Sequence, residues 1–291
     1  MQDHPFKNTI ALIGGSGFLG TAFIRASHYI DDVDFISITR NNYNYWSNMT
    51  AAKPDWKFFK TIWVAGISSK LFCNENPEYC WDQNVDAVLR AIDDFPCEQF
   101  VYVSSLDVYP KSLKPELRTE DICIDKSRLS SYGRCKYGGE EVVKEWADRW
   151  LILRCNGFVG PGLKKNIVYD LNQNIPKVWV HPSSTFQFIH TDIFVDVVGI
   201  LSRKYTNQVI NVGPENPISV SEVAGILNID HFDYTDRLVI AEFNTSFLKR
   251  ILDKDYYLKY LDNRIAIDNW NKILINSSWK PTWNMKSVMN V

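Results

Sequence analysis

The sequence lacks the features that would direct a protein to a membrane or to a nucleic acid. Its net charge is only −2, from 32 basic and 34 acidic residues, so no general electric field attracts a polyanion. No apolar run approaches the ~20 residues that a bilayer requires, and the polar residues 1–8 contain no signal-peptide core. These absences predict a cytoplasmic protein that binds neither nucleic acid nor membranes.

Cysteine is scarce, and its spacing fits no metal site. The six cysteines form neither the CxxC nor the Cys/His spacing of zinc sites. We therefore predict that there is no metal site and that all six cysteines are reduced thiols packed as small apolar residues. The six are Cys73, Cys80, Cys97, Cys123, Cys135 and Cys155.

Strand-like and helix-like segments alternate through the first 160 residues. The composition is that of a globular protein, with 45% hydrophobic and 23% charged residues. The alternation indicates a parallel sheet with helices on both faces. Strands are predicted over residues 8–13, 34–39, 57–59, 61–65, 100–104, 150–154, 186–190 and 209–212, and helices over 21–29, 77–95, 131–148, 191–202 and from the capping box at Ser219.

This pattern predicts an α/β fold, a Rossmann-like doubly wound parallel sheet with a small mixed C-terminal substrate lobe. The nucleotide-binding domain is expected over residues 1–160, with a returning segment near 190–213. The discontinuous substrate lobe is expected over residues 161–291. Substrate would then bind in the crevice beyond the carboxyl ends of the strands.

Three glycines, Gly14, Gly17 and Gly20, lie between the first predicted strand and the first predicted helix. Glycine is needed there because the backbone turns sharply and approaches a pyrophosphate closely, while the helix N-terminus offers N–H groups to the anion. The turn therefore predicts a dinucleotide site. The residues expected to contact the dinucleotide, on this turn and at the ends of later strands, are Gly14, Ser16, Gly17, Phe18, Leu19, Thr39, Arg40, Ala65 and Gly66.

The end of the second predicted strand bears on the choice between NAD and NADP. NAD-specific folds commonly place Asp or Glu there to bind the ribose 2′-hydroxyl. Here the strand ends in Thr39 and Arg40, a hydroxyl and a guanidinium that suit a 2′-phosphate. We therefore predict NADP as the cofactor, with NAD as the alternative if Arg40 is a solvated loop residue.

Tyr132 and Lys136 stand four residues apart, on one face of the predicted helix at 131–148. That spacing alone is common by chance, but here it follows a strand that ends in Ser105, 27 residues earlier. An ammonium close to a phenol favours the phenolate, so Lys136 is expected to lower the pKa of Tyr132 towards neutrality.

The motifs GGSGFLG, VYVSSLDVYP and SYGRCKYGGEE, in this order and spacing, resemble the extended short-chain dehydrogenase/reductases. The particular resemblance is to the branch of nucleotide-sugar epimerases, dehydratases and reductases. It implies a catalytic set of Tyr132, Lys136 and Ser105, with Tyr132 and Lys136 also at the nicotinamide ribose. Further similar segments are 76–85, 153–162, 186–193 and 263–268, the last followed by Trp279-Lys280-Pro281.

The residues after Ser105 distinguish the branches of that family. The 4,6-dehydratases carry Asp-Glu there, whereas this chain has Leu106 and Asp107, so the acid for water elimination is missing. Asp107 stands where GDP-fucose synthase carries a basic cysteine, and it is either a second base or a residue that hydrogen-bonds a backbone turn. Asn166 aligns with the acidic histidine of that enzyme, and His181 lies further along.

Three residues are expected to contact substrate: Ser105, Asn156 and Arg264. Asn156 lies one residue before the position where many family members carry an asparagine that contacts substrate. Arg264 either holds a diphosphate, because Arg matches phosphate geometry bidentately, or pins the lobe to the cofactor domain. His190 is expected to be a structural histidine.

The resulting functional prediction is an NADP-dependent oxidoreductase of the 4-ketoreductase type. It would reduce or oxidise a keto or hydroxyl carbon of a nucleotide-linked sugar by Tyr/Lys/Ser catalysis. The alternatives are a nucleotide-sugar epimerase with tightly bound NAD, a non-catalytic NADP(H)-sensing regulator, and a reductase of lipid-like or aromatic ketones. The family resemblance also implies a homodimer, paired through the helices at 77–95 and 131–148.

Overall fold

A parallel sheet of six strands forms the centre of the structure, a computed structural model that describes residues 6–27, 33–173 and 175–275. The strands are β1 (Thr9–Ile13), β2 (Asp34–Ile38), β3 (Lys60–Trp63), β4 (Phe100–Ser105), β5 (Trp150–Cys155), β6 (Gly157–Val159), β7 (Thr185–Phe186), β8 (Phe188–His190), β9 (Gln208–Val212), β10 (Ile218–Ser219) and β11 (Ile240–Ala241). The helices are α1 (Phe18–Ser27), α2 (Tyr43–Ala51), α3 (Lys70–Glu75), α4 (Pro77–Trp81), α5 (Ala87–Asp94), α6 (Ser131–Trp146), α7 (Ile167–Leu171), α8 (Thr191–Lys204), α9 (Val220–Ile226), α10 (Ser246–Ile251), α11 (Lys254–Tyr260) and α12 (Asn263–Ile275).

The order of strands in the central sheet is β2-β1-β3-β4-β5-β9, and all neighbours are parallel. The predicted Rossmann-like doubly wound sheet is therefore confirmed. The chain passes from β1 outward to β2 and then returns to β3 on the other side of β1. Ligands of such sheets bind at this reversal, beyond the carboxyl ends of the strands.

Helices cover both faces of the sheet with apolar side chains at helical spacing. On one face, α1 buries Ala22, Phe23 and Ala26 against the core shared with α8. On the other face, α5 and α6 contribute Ala91 and Val143 to a second core. Because both faces are covered, the strands between them consist almost entirely of buried residues.

A third core belongs to the part of the chain predicted as the substrate lobe. It brings together α7, α9 and α12, and the side chain of Trp270 is 2% exposed within it. Helix α9 begins with the predicted capping box, in which the Ser219 side chain accepts from Glu222 and Glu222 accepts from the Ser219 backbone. Helices α10 and α11 instead pack on the first core of the central sheet. The Trp279-Lys280-Pro281 motif lies outside the described residues.

Two predicted strands differ from the structure. The two strands predicted at 57–59 and 61–65 are replaced by one, β3 (Lys60–Trp63), which is preceded by an isolated bridge between Phe58 and Cys97. The predicted strand at 186–190 divides at Gln187, whose side chain donates to the carbonyl of Pro214 at 2.7 Å and accepts from the N–H of Phe243 at 3.0 Å. Its two halves, β7 and β8, therefore join different sheets.

The prediction that all six cysteines are reduced is wrong for Cys73 and Cys80, which form a disulfide. They lie seven residues apart on the successive short helices α3 and α4, and both side chains are fully buried. The break between these helices brings the two thiols together, and spacing in the sequence carries no sign of it. Cys123 is exposed, contrary to the predicted packing, whereas Cys135 and Cys155 are buried and free as predicted.

Two further observations concern the residues that the structure describes. No helix among them is both long enough and apolar enough to cross a bilayer. The same residues contain no group of three or more His, Cys, Asp and Glu side chains that could hold a metal ion.

Candidate active site

The glycine turn after β1 fits the requirements of a pyrophosphate site. Gly14 has φ +95°, and a Cβ on it would lie 2.8 Å from the backbone nitrogen of Ala65, so only glycine permits this approach. Helix α1 begins at Phe18, and Ser16 and Gly17 before it are exposed. The first N–H groups of α1 have no partner within the helix and can bind an anion. The turn therefore fits a dinucleotide.

The end of β2 lies beside the glycine turn, because Gly14 donates its N–H to the carbonyl of Ile38 at 2.9 Å. Thr39 is held there by Asn42, whose Oδ1 accepts from the Thr39 N–H at 2.7 Å. Arg40 is exposed, and no described residue forms an ion pair or hydrogen bond with its side chain. Its guanidinium is thus available where the sequence predicts the 2′-phosphate.

The segment after β3 flanks the same turn. Gly66 has φ +102°, and its Cβ position is 2.2 Å from Oδ1 of Asn84. Asn84 lies in the π-helical turn between α4 and α5, and its Nδ2 donates to the carbonyl of Ile67 at 3.3 Å. Its Oδ1 is buried and has no partner in the described part of the chain. Asn84 was not among the predicted site residues, although it stands within a motif that carries the family resemblance.

Ser105, Tyr132 and Lys136 come together at the carboxyl end of β4. Ser105 is the last residue of β4, and the predicted helix forms as α6, which begins at Ser131. The Tyr132 and Lys136 side chains share its buried face and are 9% and 5% exposed. The Ser105 hydroxyl lies near enough to the Tyr132 phenol to lower the pKa of that phenol. The three residues therefore form one cluster.

Close packing of α6 on the turn after β4 makes this cluster possible. A Cβ on Gly133 would lie 2.2 Å from the carbonyl oxygen of Asp107, so a larger residue would push the helix away. Ser130 caps α6, and its Oγ accepts from the N–H of Gly133 at 3.1 Å. The glycine after Tyr132 thus brings the phenol within reach of Ser105.

The Lys136 ammonium faces inward, away from solvent. It donates to the carbonyl of Val103 at 2.8 Å and lies 4.3 Å from the ring centre of Tyr102. Burial lowers the pKa of Lys136 to about 8, although the nearby charge of Glu140 opposes the shift. Lys136 therefore remains mainly an ammonium at neutral pH.

The phenol of Tyr132 is held in its neutral form. Burial and the charge of Asp107 raise its pKa well above the usual 10, while the hydrogen bond from Ser105 has a smaller lowering effect. The predicted lowering of this pKa by Lys136 is not found in the structure, because the ammonium is turned towards Val103. At neutral pH, Tyr132 is therefore a proton donor.

Asp107 links this cluster to the surface. It lies in a 3₁₀ turn directly after β4, where its backbone N–H donates to Ser105 Oγ at 3.2 Å. Its Oδ2 accepts from the same hydroxyl at 3.2 Å, and its Oδ1 lies 2.7 Å from Nζ of Lys70. The Asp107 side chain thus contacts a hydroxyl and an ammonium rather than the backbone of the turn, and its charge also acts on Tyr132. Lys70, at the start of α3, was not predicted.

A buried ion pair between α6 and β5 stabilises the packing around the cluster. The Glu140 and Arg154 side chains are 0% and 2% exposed, and Nη2 of Arg154 lies 2.8 Å from Oε2 of Glu140. Ser104 donates its hydroxyl to Glu140 at 2.6 Å, and Arg154 donates to the hydroxyl of Tyr109 at 2.9 Å. This network joins α6 to β4 and β5.

The other predicted substrate residues lie at separate places. Asn156 directly follows β5, and its Nδ2 donates to Oε1 of Gln187. Arg264 is exposed on α12 and forms an ion pair with Glu222 of α9 at 2.6 Å. Both residues of this ion pair belong to the predicted substrate lobe. The contact does not test whether Arg264 binds a diphosphate, which stays a prediction.

Contacts within the protein hold the side chains of His190, Asn166 and His181. The Nδ1 of His190 accepts from the N–H of Asp192 at 3.2 Å, and burial lowers the His190 pKa to about 4, as expected of a structural histidine. Asn166 caps α7 through its Oδ1. His181 makes an edge contact with the ring of Tyr234.

A doubly wound parallel sheet with a glycine turn at its strand reversal defines a dinucleotide-binding α/β protein. The model of the NAD dependent epimerase/dehydratase family matches residues 10–213, and the chain belongs to this family. The predicted family of NAD(P)-dependent enzymes is therefore confirmed. No curated protein sequence matches the chain significantly.

Solved structures of nucleotide-sugar enzymes share the fold. A dTDP-4-dehydrorhamnose reductase from Clostridium acetobutylicum is 16% identical, with a TM-score of 0.74 over 92% of this chain and 99% of that chain. A UDP-glucose 4-epimerase from Thermotoga maritima with UDP-glucose is 14% identical, with a TM-score of 0.73 over 92% and 99%. A dTDP-glucose 4,6-dehydratase from Streptomyces venezuelae with NAD bound is 14% identical, with a TM-score of 0.73 over 93% and 98%.

Proposed function

We propose that the protein is an NADP-dependent reductase of the 4-ketoreductase type, acting on a keto group of a nucleotide-linked sugar. The observation that carries the proposal is the cluster of Ser105, Tyr132 and Lys136 at the carboxyl end of β4. It lies on the sheet edge that carries the glycine turn. A proton donor and a dinucleotide site on one sheet edge are what reduction of a ketone requires.

Each residue of the site has a separate role in the proposed reaction. The glycine turn and the N-terminus of α1 would hold the pyrophosphate, and the bound cofactor would supply hydride. Tyr132 donates the proton to the carbonyl oxygen, and its raised pKa keeps that proton in place at neutral pH. Lys136, on the same buried face of α6, would bind the hydroxyls of the nicotinamide ribose, and Ser105 would position the reacting oxygen.

The chemistry of the substrate is supported by the family and by two local features. Among the proteins that share the fold are the reductase of a dTDP-linked 4-keto sugar and the epimerase bound to UDP-glucose. Leu106 stands where the dehydratases carry an acid, which disfavours elimination. Asn156, directly after β5, would contact the sugar, and Arg264 a diphosphate at the lobe.

The preference for NADP rests on Arg40. Arg40→Ala is expected to weaken NADPH binding by about 1–3 kcal/mol, the scale of a hydrogen bond to a charged group, which is a roughly 5- to 150-fold loss of affinity. NADH has no 2′-phosphate, so its affinity should remain unchanged. Fluorescence titration with both cofactors measures the difference, and equal losses for both would rule out the contact between Arg40 and the phosphate.

Release of any bound cofactor tests the proposed reaction against its main alternative. A reductase exchanges its cofactor in every cycle, so protein purified without added nucleotide should bind NADPH reversibly and in preference to NADH. An epimerase reoxidises its cofactor internally and retains it. Denaturation that released stoichiometric NAD would therefore favour an epimerase and contradict the assignment to a reductase.

We also propose that the protein is a homodimer that pairs through the helices predicted at 77–95 and 131–148, which form α4, α5 and α6. Tyr79 and Trp81 of α4 and Trp146 of α6 are 50%, 44% and 56% exposed, and such exposed apolar side chains favour burial against a second copy. Light scattering at micromolar concentration should give twice the chain mass of 33.7 kDa, and Tyr79→Lys should reduce it towards a monomer. A monomeric mass of the unmodified protein would contradict the dimer.

A further inference from the structure

The side-chain amide of Asn156 lies beside Ser105 at the carboxyl end of the central sheet. Ser105 ends β4, and its partner in the register of β4 and β5 is Cys155, the last residue of β5. Neighbouring strands are about 4.8 Å apart, so Asn156, the next residue, lies close to the serine that would position the reacting oxygen. A group on the carbon next to the reacting one is therefore within reach of this amide.

Resting on the proposed function, we propose that Gln187 is a positioning residue that fixes the amide of Asn156 with its oxygen facing the substrate. Asn156 then accepts a hydrogen bond from a hydroxyl on the carbon next to the keto group. In a 4-keto pyranose this is the hydroxyl at C3, because C5, the other neighbour, is bonded to the ring oxygen. The site thus selects sugars that carry a free hydroxyl at C3.

Two backbone groups fix the orientation of the Gln187 amide. Its Nε2 donates to the carbonyl of Pro214 at 2.7 Å, and a carbonyl can only accept. Its Oε1 accepts from the N–H of Phe243 at 3.0 Å, and an N–H can only donate. The Gln187 side chain is 1% exposed. The reversed amide would therefore leave the backbone groups of Pro214 and Phe243 unsatisfied inside the protein, which is costly.

The orientation of Gln187 determines that of Asn156. The Nδ2 of Asn156 donates to the same Oε1 of Gln187. Because that oxygen only accepts, the oxygen of the Asn156 amide cannot take the place of Nδ2. Among the residues that the structure describes, none donates to Oδ1 of Asn156. The side chain is half-buried, so this oxygen can accept from a ligand that brings a donor.

The backbone on both sides of the contact is held by the pairing of β6 with β8. The N–H of Gly157 donates to the backbone carbonyl of Gln187 at 3.1 Å, and Gly157 pairs with Phe188 in the two-stranded sheet. A Cβ on Gly157 would lie 2.5 Å from the ring of Phe188, so glycine permits this close approach. Asn156 and Gln187 directly precede this pairing, which keeps their side chains together.

The affinities of matched sugar ligands test the contact without turnover. Wild-type protein saturated with NADP⁺ would be titrated by calorimetry with dTDP-linked and UDP-linked 4-keto sugars, each with the C3 hydroxyl and as the 3-deoxy analogue. The form with the hydroxyl should bind roughly 5- to 150-fold more tightly, the range expected when a buried hydrogen-bonding group loses its partner. Asn156→Ala removes the acceptor and should abolish this preference.

Two variants of Gln187 separate positioning from a structural role. Gln187→Met removes the acceptor that holds the Asn156 amide, so the preference should fall towards that of Asn156→Ala. Gln187→Glu keeps an acceptor for Asn156 and places a second oxygen at the carbonyl of Pro214. Its melting temperature should therefore fall while the preference remains. Gln208→Met, at the amino end of β9, is the matched control and should show the wild-type preference.

Different outcomes overturn different parts of the proposal. Equal affinity of wild type for the two forms of a sugar would overturn the contact, and so would a preference that survives Asn156→Ala. The wild-type preference in Gln187→Met would overturn the positioning role. If neither Gln187 variant folds, Asn156→Ala still decides whether the contact exists. A preference for the hydroxyl in binding, without NADPH oxidation by either form, would contradict the reductase and leave this contact in place.

Discussion

Tyr132→Phe should reduce turnover at least ~100-fold while NADPH affinity changes by no more than several-fold. The variant removes the hydroxyl that donates the proton and keeps the ring that fills the buried site. Burial and Asp107 hold this phenol neutral, so it carries the proton that reduction of a ketone consumes. The rate of NADPH oxidation with a nucleotide-linked 4-keto sugar gives the turnover, and cofactor fluorescence gives the affinity.

Tyr137→Phe is the matched control for this change, because Tyr137 lies half-buried on the same helix and packs near Leu129 and Phe243. Its turnover should stay within about twofold of wild type, the scale of a surface substitution that leaves catalysis unaffected. Retention of most of the wild-type rate by Tyr132→Phe would mean that the proton comes from another group. No turnover by wild type with any ketone would favour the regulator that only binds the cofactor.

Arg154→Met is expected to reduce the free energy of unfolding by about 3–5 kcal/mol. It leaves the fully buried carboxylate of Glu140 without its closest counter-ion, since the ammonium of Lys144 lies 3.9 Å away. The guanidinium also donates to the hydroxyl of Tyr109 at 2.9 Å, so that group loses a partner too. Urea unfolding measures the change, and the double variant with Glu140→Gln should recover part of the loss because it removes a buried charge that has lost its closest partner.

The exposed ion pair between Lys126 and Glu141 is the matched control for Arg154. Its atoms are 2.6 Å apart, but the side chains are 59% and 40% exposed. Lys126→Met should therefore leave the urea midpoint nearly unchanged, since solvent screens such pairs. If Arg154→Met cost no more than this control, the buried pair would not support α6 as described.

Most of the central sheet could be predicted because its signals are local. Buried apolar runs, the glycine turn and the capping box at Ser219 each depend on a few neighbouring residues, and each appears in the structure. The division of 186–190 at Gln187 could not be predicted, because its cause is a set of contacts with Pro214 and Phe243 from a distant part of the chain. The disulfide between Cys73 and Cys80 likewise depends on how two short helices meet.

The candidate site divides in the same way. The approach of Tyr132 to Ser105 followed from a strand end and a helix face, which periodicity reveals. The direction of the Lys136 side chain could not be predicted, because it depends on contacts with the carbonyl of Val103 and the ring of Tyr102. Lys70 reaches Asp107 only because α3 and the turn after β4 are neighbours in space.

Transfer of deuterium from labelled NADPH to the sugar is the most direct test of the proposed reduction. Wild-type protein would be incubated with a nucleotide-linked 4-keto sugar and NADPH carrying deuterium on either face of nicotinamide C4. One face should deliver its deuterium to C4 of the sugar, with one label transferred for each NADPH oxidised. No transfer of deuterium and no loss of NADPH with the keto sugar, together with epimerisation of the corresponding 4-hydroxy sugar by protein that holds NAD tightly, would contradict the assignment and identify an epimerase.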